Sequence, residues 1–566
     1  MSSASPSPTA PSAESGEYTH RQILTIITGL MMGMFLGALD QTIVSTAIRT
    51  ISDDLSGLSL QAWVTTAYLI TSTITTPIYG KLGDIYGRKK LFMFAISVFI
   101  VGSALCSFAT SMYMLAAFRA VQGIGAGGLF TLVLAIIGDI VSPRERARYT
   151  GYFMATFGTS SVLGPVIGGF FAGHAVILGV TGWRWVFLVN VPIGIAALFV
   201  VYRTLHVHHH RRDARIDWWG AATLIVTLVP LLTVLEQGRV WGWESGRSLA
   251  CFVIAAGGVA AFVAVEMRMH DSALIPMRMF RARPISVGIG ASLVVGMAMF
   301  GGIMILPLYM QIVHGATPME SGFLMLPMVV GMMSASIISG QVISRTGRIR
   351  GFPIFGSGLA AAAMLLLSRI TADTNLILVM GLMLLLGYGL GNCMQPLLLI
   401  LQSSVPPRDI GVATASATFF RQIGGTIGVA VFISLLFSTV GGNIHGAVAD
   451  QAGDPAFRAA VERAVTSPDP VERGVAKSIQ HPSNHGAVAE AQDDSSFIQR
   501  LDDTLAHPFK AGFAESMAQV FLVAGLLMLL GFLVLWLMPH VELRATSASA
   551  AVRSEAAPTA PVTDQV

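Results

Sequence analysis

Charge and cysteine are both scarce in this chain of 566 residues. Only 12% of the residues are charged, with 35 Lys and Arg against 31 Asp and Glu. A soluble protein of this length would carry roughly 140 charged residues, so the shortage excludes an ordinary cytosolic enzyme and a disordered scaffold. The three cysteines lie in apolar runs, which excludes a disulfide framework and a thiolate metal cluster. Because 53% of the residues are hydrophobic, we expect a polytopic membrane protein.

Long apolar segments follow one another from residue 22 onward. None alternates polar and apolar residues as a barrel strand does, so we expect helices whose backbone hydrogen bonds are satisfied internally. The fold class predicted is therefore an all-α membrane protein. Its fourteen membrane-spanning helices, numbered here as spans 1 to 14, are predicted at residues 22–45, 60–80, 91–109, 113–137, 150–172, 184–202, 217–236, 248–266, 285–312, 321–343, 353–370, 376–400, 411–440 and 513–539.

The distribution of Lys and Arg predicts the orientation of these helices. If the N-terminus is cytosolic, 22 of them fall in inner segments and 5 in short outer segments. The long outer loop at 441–510 holds 6 more, which count little because long loops cross a membrane regardless of charge. Both termini are thus predicted to be cytosolic, as disordered tails at 1–21 and 540–566. This placement also accounts for the net charge of +4 without a nucleic-acid partner.

An internal repeat divides the chain into two similar halves. The repeated segments are Gly80–Lys90 with Gly340–Arg350 and Leu163–Gly168 with Ile423–Gly428, both at a shift of 260, and Gly123–Gly125 with Gly387–Gly389 at a shift of 264. Two six-helix bundles of the same orientation follow, at 22–203 and 285–539, with spans 7 and 8 inserted in the linker at 204–284. Parallel repeats of this kind are typical of transporters that hold substrate between the halves.

Two opposite charges lie inside predicted helices of the first bundle. Asp40 in span 1 and Arg119 in span 4 each lie roughly 8–9 Å below the outer surface, so they can pair. Burial raises the pKa of a carboxyl group and a nearby Arg lowers it, so such a pair can take up and release a proton. The alternative is a structural ion pair that locks the two helices together.

The Gly80–Lys90 stretch forms a short inner turn dense in charge. Asp84, Arg88 and Asp139 are predicted to make a charge relay that breaks and reforms as an inner gate. The alternative is simple anchoring by positive charge on the inner side, which would explain Arg88 and its lysine neighbours but not Asp84.

Span 5 combines a proline with small residues, namely Gly158, Gly164, Pro165, Gly168 and Gly169. This pattern suits a helix that bends and packs closely. The Gly123–Gly128 stretch matches GxGxxG but follows no strand, so helix packing is the better interpretation.

Four polar residues are candidates to line a substrate cavity: Gln41, Tyr68, Gln122 and Arg421. Arg421 has no acidic counterpart at similar depth in the second bundle. Its side chain could contact the first bundle, a substrate or carbonyl groups, and the sequence does not choose among these three.

Other ionisable residues favour simpler interpretations. The His206–His210 run favours a solvated membrane-surface segment over a metal site, while Glu236, Glu266 and Glu515 are expected at solvated helix ends.

The motifs together resemble those of the major facilitator superfamily, and within it the fourteen-helix drug:proton antiporters. The matching segments are Leu39–Val44, Trp63–Leu69, Gly80–Lys89, Arg119–Gly123, Gly164–Gly169 and Trp183–Phe187. The resemblance implies a major facilitator fold and an inner-membrane efflux pump that exchanges protons for amphipathic compounds. It assigns Asp40 and Arg119 to proton coupling, Asp84 and Arg88 to the inner gate, and the Gly-Pro motif of span 5 to exporters.

Two departures qualify the resemblance. Ser344 replaces the acid in the second copy of the gate motif, so the gate is expected to be asymmetric. The second bundle lacks the deep acids of some relatives, which argues against dicationic substrates. A lipid or metabolite transporter, or an importer, on the same scaffold is the alternative function. No ATP-binding motif is present, so we expect a proton gradient, without a cofactor, to drive transport. We also expect the protein to be a monomer.

Overall fold

The computed structural model describes residues 20–55, 61–141, 143–205, 217–269, 272–406, 409–480 and 495–541. The His206–His210 run lies outside the described residues, as do the predicted tails except for residues 20–21 and 540–541.

Helices account for almost all of the described chain. They are α1 (His20–Asp54), α2 (Gln61–Tyr86), α3 (Arg88–Ser107), α4 (Met112–Ile140), α5 (Pro143–Ala172), α6 (Trp185–Leu188), α7 (Asn190–Thr204), α8 (Trp218–Trp241), α9 (Gly246–Met269), α10 (Arg283–Ile312), α11 (Pro318–Leu324), α12 (Leu326–Thr346), α13 (Gly351–Leu367), α14 (Leu376–Ser403), α15 (Ile410–Gln451), α16 (Pro455–Val465), α17 (Pro470–Gln480) and α18 (Asp503–Trp536). Short 3₁₀ turns cover Gly182–Arg184, Met277–Arg281 and Ser495–Arg500, and a two-stranded antiparallel hairpin pairs β1 (Val176–Ile177) with β2 (Val180–Thr181).

A helix lies over each predicted membrane span. Within the described residues, 12 helices are long and apolar enough to cross a membrane. The helices α2 and α13 cover the two other predicted spans, and α13 is apolar but shorter. Span 6 is built from a 3₁₀ turn with α6 and α7, and span 10 from α11 and α12. The chain is therefore an all-α multi-pass membrane protein, as predicted.

The two copies of the gate turn use the same backbone device. Gly87 ends α2 with φ of 95°, and Gly347 ends α12 with φ of 71°. Both values lie in the region that favours glycine, which explains why both repeats keep glycine at this turn.

The repeat is visible in the packing of each bundle. Gly123 of α4 lies against the backbone of Tyr68 in α2, and Gly387 of α14 lies against the backbone of Met328 in α12. In both cases a Cβ atom would collide with a main-chain carbonyl. Glycines of the GxGxxG-like stretch thus bring helices together, since Gly125 also approaches α3 at Phe99.

The two bundles meet mainly where α2 packs on α15 and α5 packs on α12, and α4 also contacts α15. The insert helices α8 and α9 pack on each other, and α8 also lies against α2 and α15. An apolar cluster joins these elements and includes Ile74 of α2, Leu228 of α8 and Phe419 of α15.

The segment at 441–510 is largely folded where the structure describes it. The helix α15 continues 11 residues past the predicted end at 440, and α16 and α17 follow it. Phe497 packs edge-on against Phe509 with ring centres 5.6 Å apart, and Gln499 Nε2 donates to Gln311 O at 3.1 Å. These parts form a helical cap on the predicted outer end of the second bundle.

Candidate functional site

Asp40 and Arg119 form a buried ion pair in the first bundle. The Arg119 Nη1 atom lies 2.6 Å from Asp40 Oδ2, and the two side chains are 2% and 0% exposed. Asp40 comes from the middle of α1 and Arg119 from the first half of α4, so helix packing brings together residues distant in sequence. A buried pair of this kind is stable only while both partners stay charged and hydrogen-bonded.

Two amides complete the shell around the carboxylate. Gln122 Nε2 and Asn190 Nδ2 both donate to Asp40 Oδ1, each at 2.8 Å. Gln122 Oε1 in turn accepts from Arg119 Nη1 at 2.6 Å, and its Nε2 also donates to Ser103 Oγ at 2.5 Å. Both carboxylate oxygens therefore have donors, and a change in the charge of Asp40 affects four helices.

The backbone of α3 lies unusually close to this shell. A Cβ atom on Gly102 would lie 2.6 Å from the Cα atom of Gln122, so only glycine allows Ser103 to reach Gln122. The Arg119 guanidinium also lies 4.1 Å from the ring centre of Tyr68, a cation–π contact.

Polar atoms with no partner remain inside the network. Within the part of the chain that the structure describes, Arg119 Nε and Asn190 Oδ1 are buried without a hydrogen-bond partner. Buried polar atoms without partners are costly, so this network has capacity for another polar group or water.

The predicted gate residues are also in contact. Arg88 Nη2 lies 2.9 Å from Asp84 Oδ1, and Arg88 Nη1 lies 2.8 Å from Asp139 Oδ2. Arg88 Nη1 donates as well to the carbonyl oxygen of Ala135 in α4. One guanidinium thus joins the end of α2 to the end of α4.

The gate cluster touches the second bundle through α15. A Cβ atom on Gly411 would collide with the Asp84 carboxylate, and one on Gly80 would collide with Ala415. Directly before α15, Asp409 Oδ2 lies 3.5 Å from Arg278 Nη2. The predicted inner side is therefore closed where α2 meets the first turn of α15.

The second copy of the gate motif has no acid at the equivalent position. Ser344 Oγ donates to Gln341 O within its own helix at 2.8 Å. The Arg88 cluster has no acidic equivalent there, which makes the arrangement asymmetric.

The small residues of α5 pack on two different helices. Gly164 and Gly168 lie against Thr42 and Ile43 of α1, while Gly158 lies against Val329 of α12. Gly169 has open space around it, and Pro165 lies inside the helix. The helix α5 is thus held between the two bundles.

The four cavity candidates occupy different environments. Gln41 is exposed and Arg421 is partly exposed, whereas Tyr68 and Gln122 are buried in the Asp40 network. Within the described ranges the side chain of Arg421 makes no hydrogen bond or ion pair. Its neighbour Gln422 accepts from Thr76 of α2 at 3.4 Å, which places this turn of α15 at the junction of the bundles.

One expectation about helix-end acids is wrong. Glu266 is only 1% exposed and accepts a hydrogen bond from Ile275 N at 3.1 Å, so it is not solvated. Glu236 is partly exposed and Glu515 is exposed.

Sequence reasoning missed three residues of the sites. Asn190 and Ser103 support Asp40, and Arg278 pairs beside the gate. A single amide in the apolar run of span 6 was the available signal for Asn190.

Comparison with known proteins agrees with this architecture. The family model described as Major Facilitator Superfamily matches residues 30–429. The Bacillus subtilis protein named Multidrug transporter protein MdtP is 38% identical over 418 residues, which are 74% of this chain and 75% of that protein. Multidrug resistance protein 3 of the same species is 35% identical over 447 residues, covering 76% of this chain and 85% of that protein.

Solved structures show the same fold. The proton:xylose symporter XylE, bound to 6-bromo-6-deoxy-D-glucose, aligns with a TM-score of 0.57 at 15% identity, covering 94% of this chain and 100% of that chain. The human organic anion transporter MFSD10 aligns with a TM-score of 0.55 at 14% identity, covering 90% of this chain and 99% of that chain.

Proposed function

Because the chain belongs to the major facilitator superfamily and is a transporter rather than an enzyme, we propose that it exports lipophilic or amphipathic organic compounds, such as drugs, in exchange for protons. The names of the two Bacillus relatives support efflux of such compounds.

The observation that carries the proposal is the environment of Asp40. Its carboxylate is completely buried and is the counter-ion of Arg119. Protonation of Asp40 would leave Arg119 as a buried cation without a counter-ion, which is strongly unfavourable in this arrangement of the helices. Proton binding would therefore favour a rearrangement of α1 against α4, and a rearrangement of this kind is what alternating access requires.

The contacts of Asp84, Arg88 and Asp139 at the inner gate also support transport by alternating access. Opening of the inner side has to separate Asp84 from the first turn of α15, while Arg88 keeps α2 and α4 together. The bundles would then move as units, with the contacts of α2 and α15 broken and remade.

The substrate would bind between the bundles, near the level of Gln41 and Arg421. Gln41 is exposed on the same helix as Asp40, one residue further along, so substrate there can affect the proton site directly. Tyr68 and Gln122 would act through Asp40 and Arg119, since both are buried behind them.

The transporter would act as a monomer in the cytoplasmic membrane with both termini in the cytosol. The bias of Lys and Arg toward the inner segments supports this orientation. The proton gradient would supply the driving force, with no cofactor.

The test uses inverted membrane vesicles that are acidic inside. Adding a lipophilic compound should cause proton release in the wild type and not in Asp40→Asn at equal expression. The matched control is Asp54→Asn on the same helix, because its oxygen can still accept from Trp183 Nε1, which lies 2.7 Å from Asp54 Oδ2. This control should behave as the wild type does.

Substrate-evoked release that survives in Asp40→Asn would move proton coupling to another group. It would leave Asp40 and Arg119 as a structural pair.

A further inference from the structure

The two insert helices carry a pair of buried carboxyl groups that the proposed function does not use. Asp217 precedes α8, and its Oδ1 atom accepts from Gly220 N at 2.6 Å. Glu266 lies near the end of α9, and its Oε2 atom accepts from Ile275 N. The two residues are 0% and 1% exposed.

The second oxygen of each carboxyl group has no hydrogen-bond partner among the described residues. These two atoms, Asp217 Oδ2 and Glu266 Oε1, share one neighbour, Gly220. They lie 2.5 Å and 2.8 Å from the position that a Cβ atom on Gly220 would occupy. Two negative charges beside the same glycine repel each other in a buried site, whereas a proton held between the two groups would remove one of these charges.

Among the described residues, Lys81 is a further charged group that acts on Glu266. It extends from α2 and is 7% exposed, and its charge acts on Glu266 and also on Asp84 of the gate. Among the described residues, the backbone N–H groups of Leu274 and Ile275 also face Glu266.

The segment 272–281, called the linker in this subsection, carries Ile275 and leads directly to the gate. Leu274 and Ile275 pack in the cluster that contains Ile74 of α2 and Phe419 of α15. Three residues later Arg278 pairs with Asp409, the residue before α15. The position of this linker therefore depends on Glu266 at one end and bears on the gate at the other.

We propose that Asp217 and Glu266 bind one proton between them, and that this proton holds the linker in place and stabilises the closed inner gate. The inference goes beyond the proposed function, which assigns the coupling proton to Asp40. Loss of the proton to cytosolic water leaves two buried negative charges that repel, releases the linker and favours opening. The site makes the inner gate responsive to cytosolic pH.

The test measures a distance across the inner side at different pH values. Spin labels are placed at Lys90 and Thr346, which are exposed at the inner ends of α3 and α12, after the three native cysteines are replaced. The protein carries Asp40→Asn throughout, so that titration of Asp40 does not contribute. Between about pH 5.5 and about pH 8.5 the ratio of open to closed inner gate should rise about fivefold or more.

The variants separate the pair from general effects. Glu266→Gln should hold the low-pH distribution at every pH, because an amide donates a hydrogen bond without titrating. Gly220→Ala, which places a methyl group against both oxygens, should favour opening even at low pH. Gly257→Ala in α9, where a Cβ atom has free space, should titrate as the parent does.

An unchanged pH response in both Glu266→Gln and Asp217→Asn would overturn the proposal. Asn still caps α8, so the second variant protects against a folding failure of the first. A shift caused by sodium at constant pH would also overturn it, since the occupant would then be a metal cation. The vesicle assay tests proton coupling by Asp40, and the distance measurement tests the Asp217–Glu266 proton. Either experiment can fail while the other succeeds.

Discussion

The Asp84 carboxylate of α2 occupies the space beside Gly411 in the first turn of α15, where any side chain would collide with it. The first turn of a helix carries partial positive charge, which favours a carboxylate there. Because α2 and α15 belong to different bundles, this contact exists only while the inner side is closed.

Gly411→Ala should therefore shift the protein toward an open inner side. We expect transport to fall about tenfold, and the distance between labels at Lys90 and Thr346 to increase. Gly446→Ala in the same helix is the control, because a Cβ atom there meets nothing within 4 Å. Equal distances in both variants would mean that the Asp84 contact does not hold the gate.

Arg88→Lys separates the gate hypothesis from simple anchoring. Lysine keeps the positive charge, but its single ammonium group cannot reproduce the contacts with Asp84, Asp139 and the Ala135 carbonyl. A gate role predicts at least about tenfold slower transport, whereas anchoring predicts no change. The measurement is the initial transport rate at equal expression, with Lys90→Arg as the charge-conserving control.

Asn190→Leu should destabilise the protein by removing a donor from the buried Asp40 carboxylate. Hydrogen bonds to charged groups contribute about 1.5–3 kcal/mol, so the free energy of unfolding should fall by about that amount. Asn443→Leu, which removes a bond to the Ser516 hydroxyl, should cost less. Denaturant unfolding in detergent checks both variants, and equal losses would contradict a special role for Asn190.

Acid on the predicted outer side should loosen the loop between α10 and α11. Burial and the nearby Lys510 charge lower the pKa of His314, whose ring packs edge-on against Tyr309 at 5.2 Å. Because folding lowers the pKa of His314, the neutral imidazole stabilises the folded state. This contribution to stability is complete above the ordinary pKa of about 6.5 and is lost as the pH falls through the folded-state pKa.

Hydrogen exchange of residues 313–317 should thus be faster at about pH 5 than at about pH 7.5 in the wild type. His314→Gln should remove this difference after correction for intrinsic exchange. A difference that persists in the variant would assign the pH effect to another group.

The depth of charged residues along the helices was predictable, and their neighbours were not. Counting residues from span ends placed Asp40 and Arg119 at similar depth, because the helical rise is constant. Asn190 was not found this way, since its contact with Asp40 joins residues 150 positions apart. Glu266 was misjudged for the same reason: the linker segment that buries it lies beyond its own helix.

Local signals in the outer segment indicate where a helix begins. Asp454 caps α16 and Pro455 follows at the first helical position, a pattern typical of helix starts. The burial of Phe497 against Phe509 depends on how the cap folds back onto α18, which no local pattern indicates.

By itself the amino-acid sequence determined the membrane class, the helical spans, the two-fold repeat and the bias of positive charge. These follow from composition, segment length and spacing, which the chain carries before it folds. Only the tertiary structure decided which charges are paired, that Asp84 meets α15, and that Asp217 and Glu266 both lie beside Gly220. Burial and pairing depend on helices that are distant in sequence, and only their packing sets those distances.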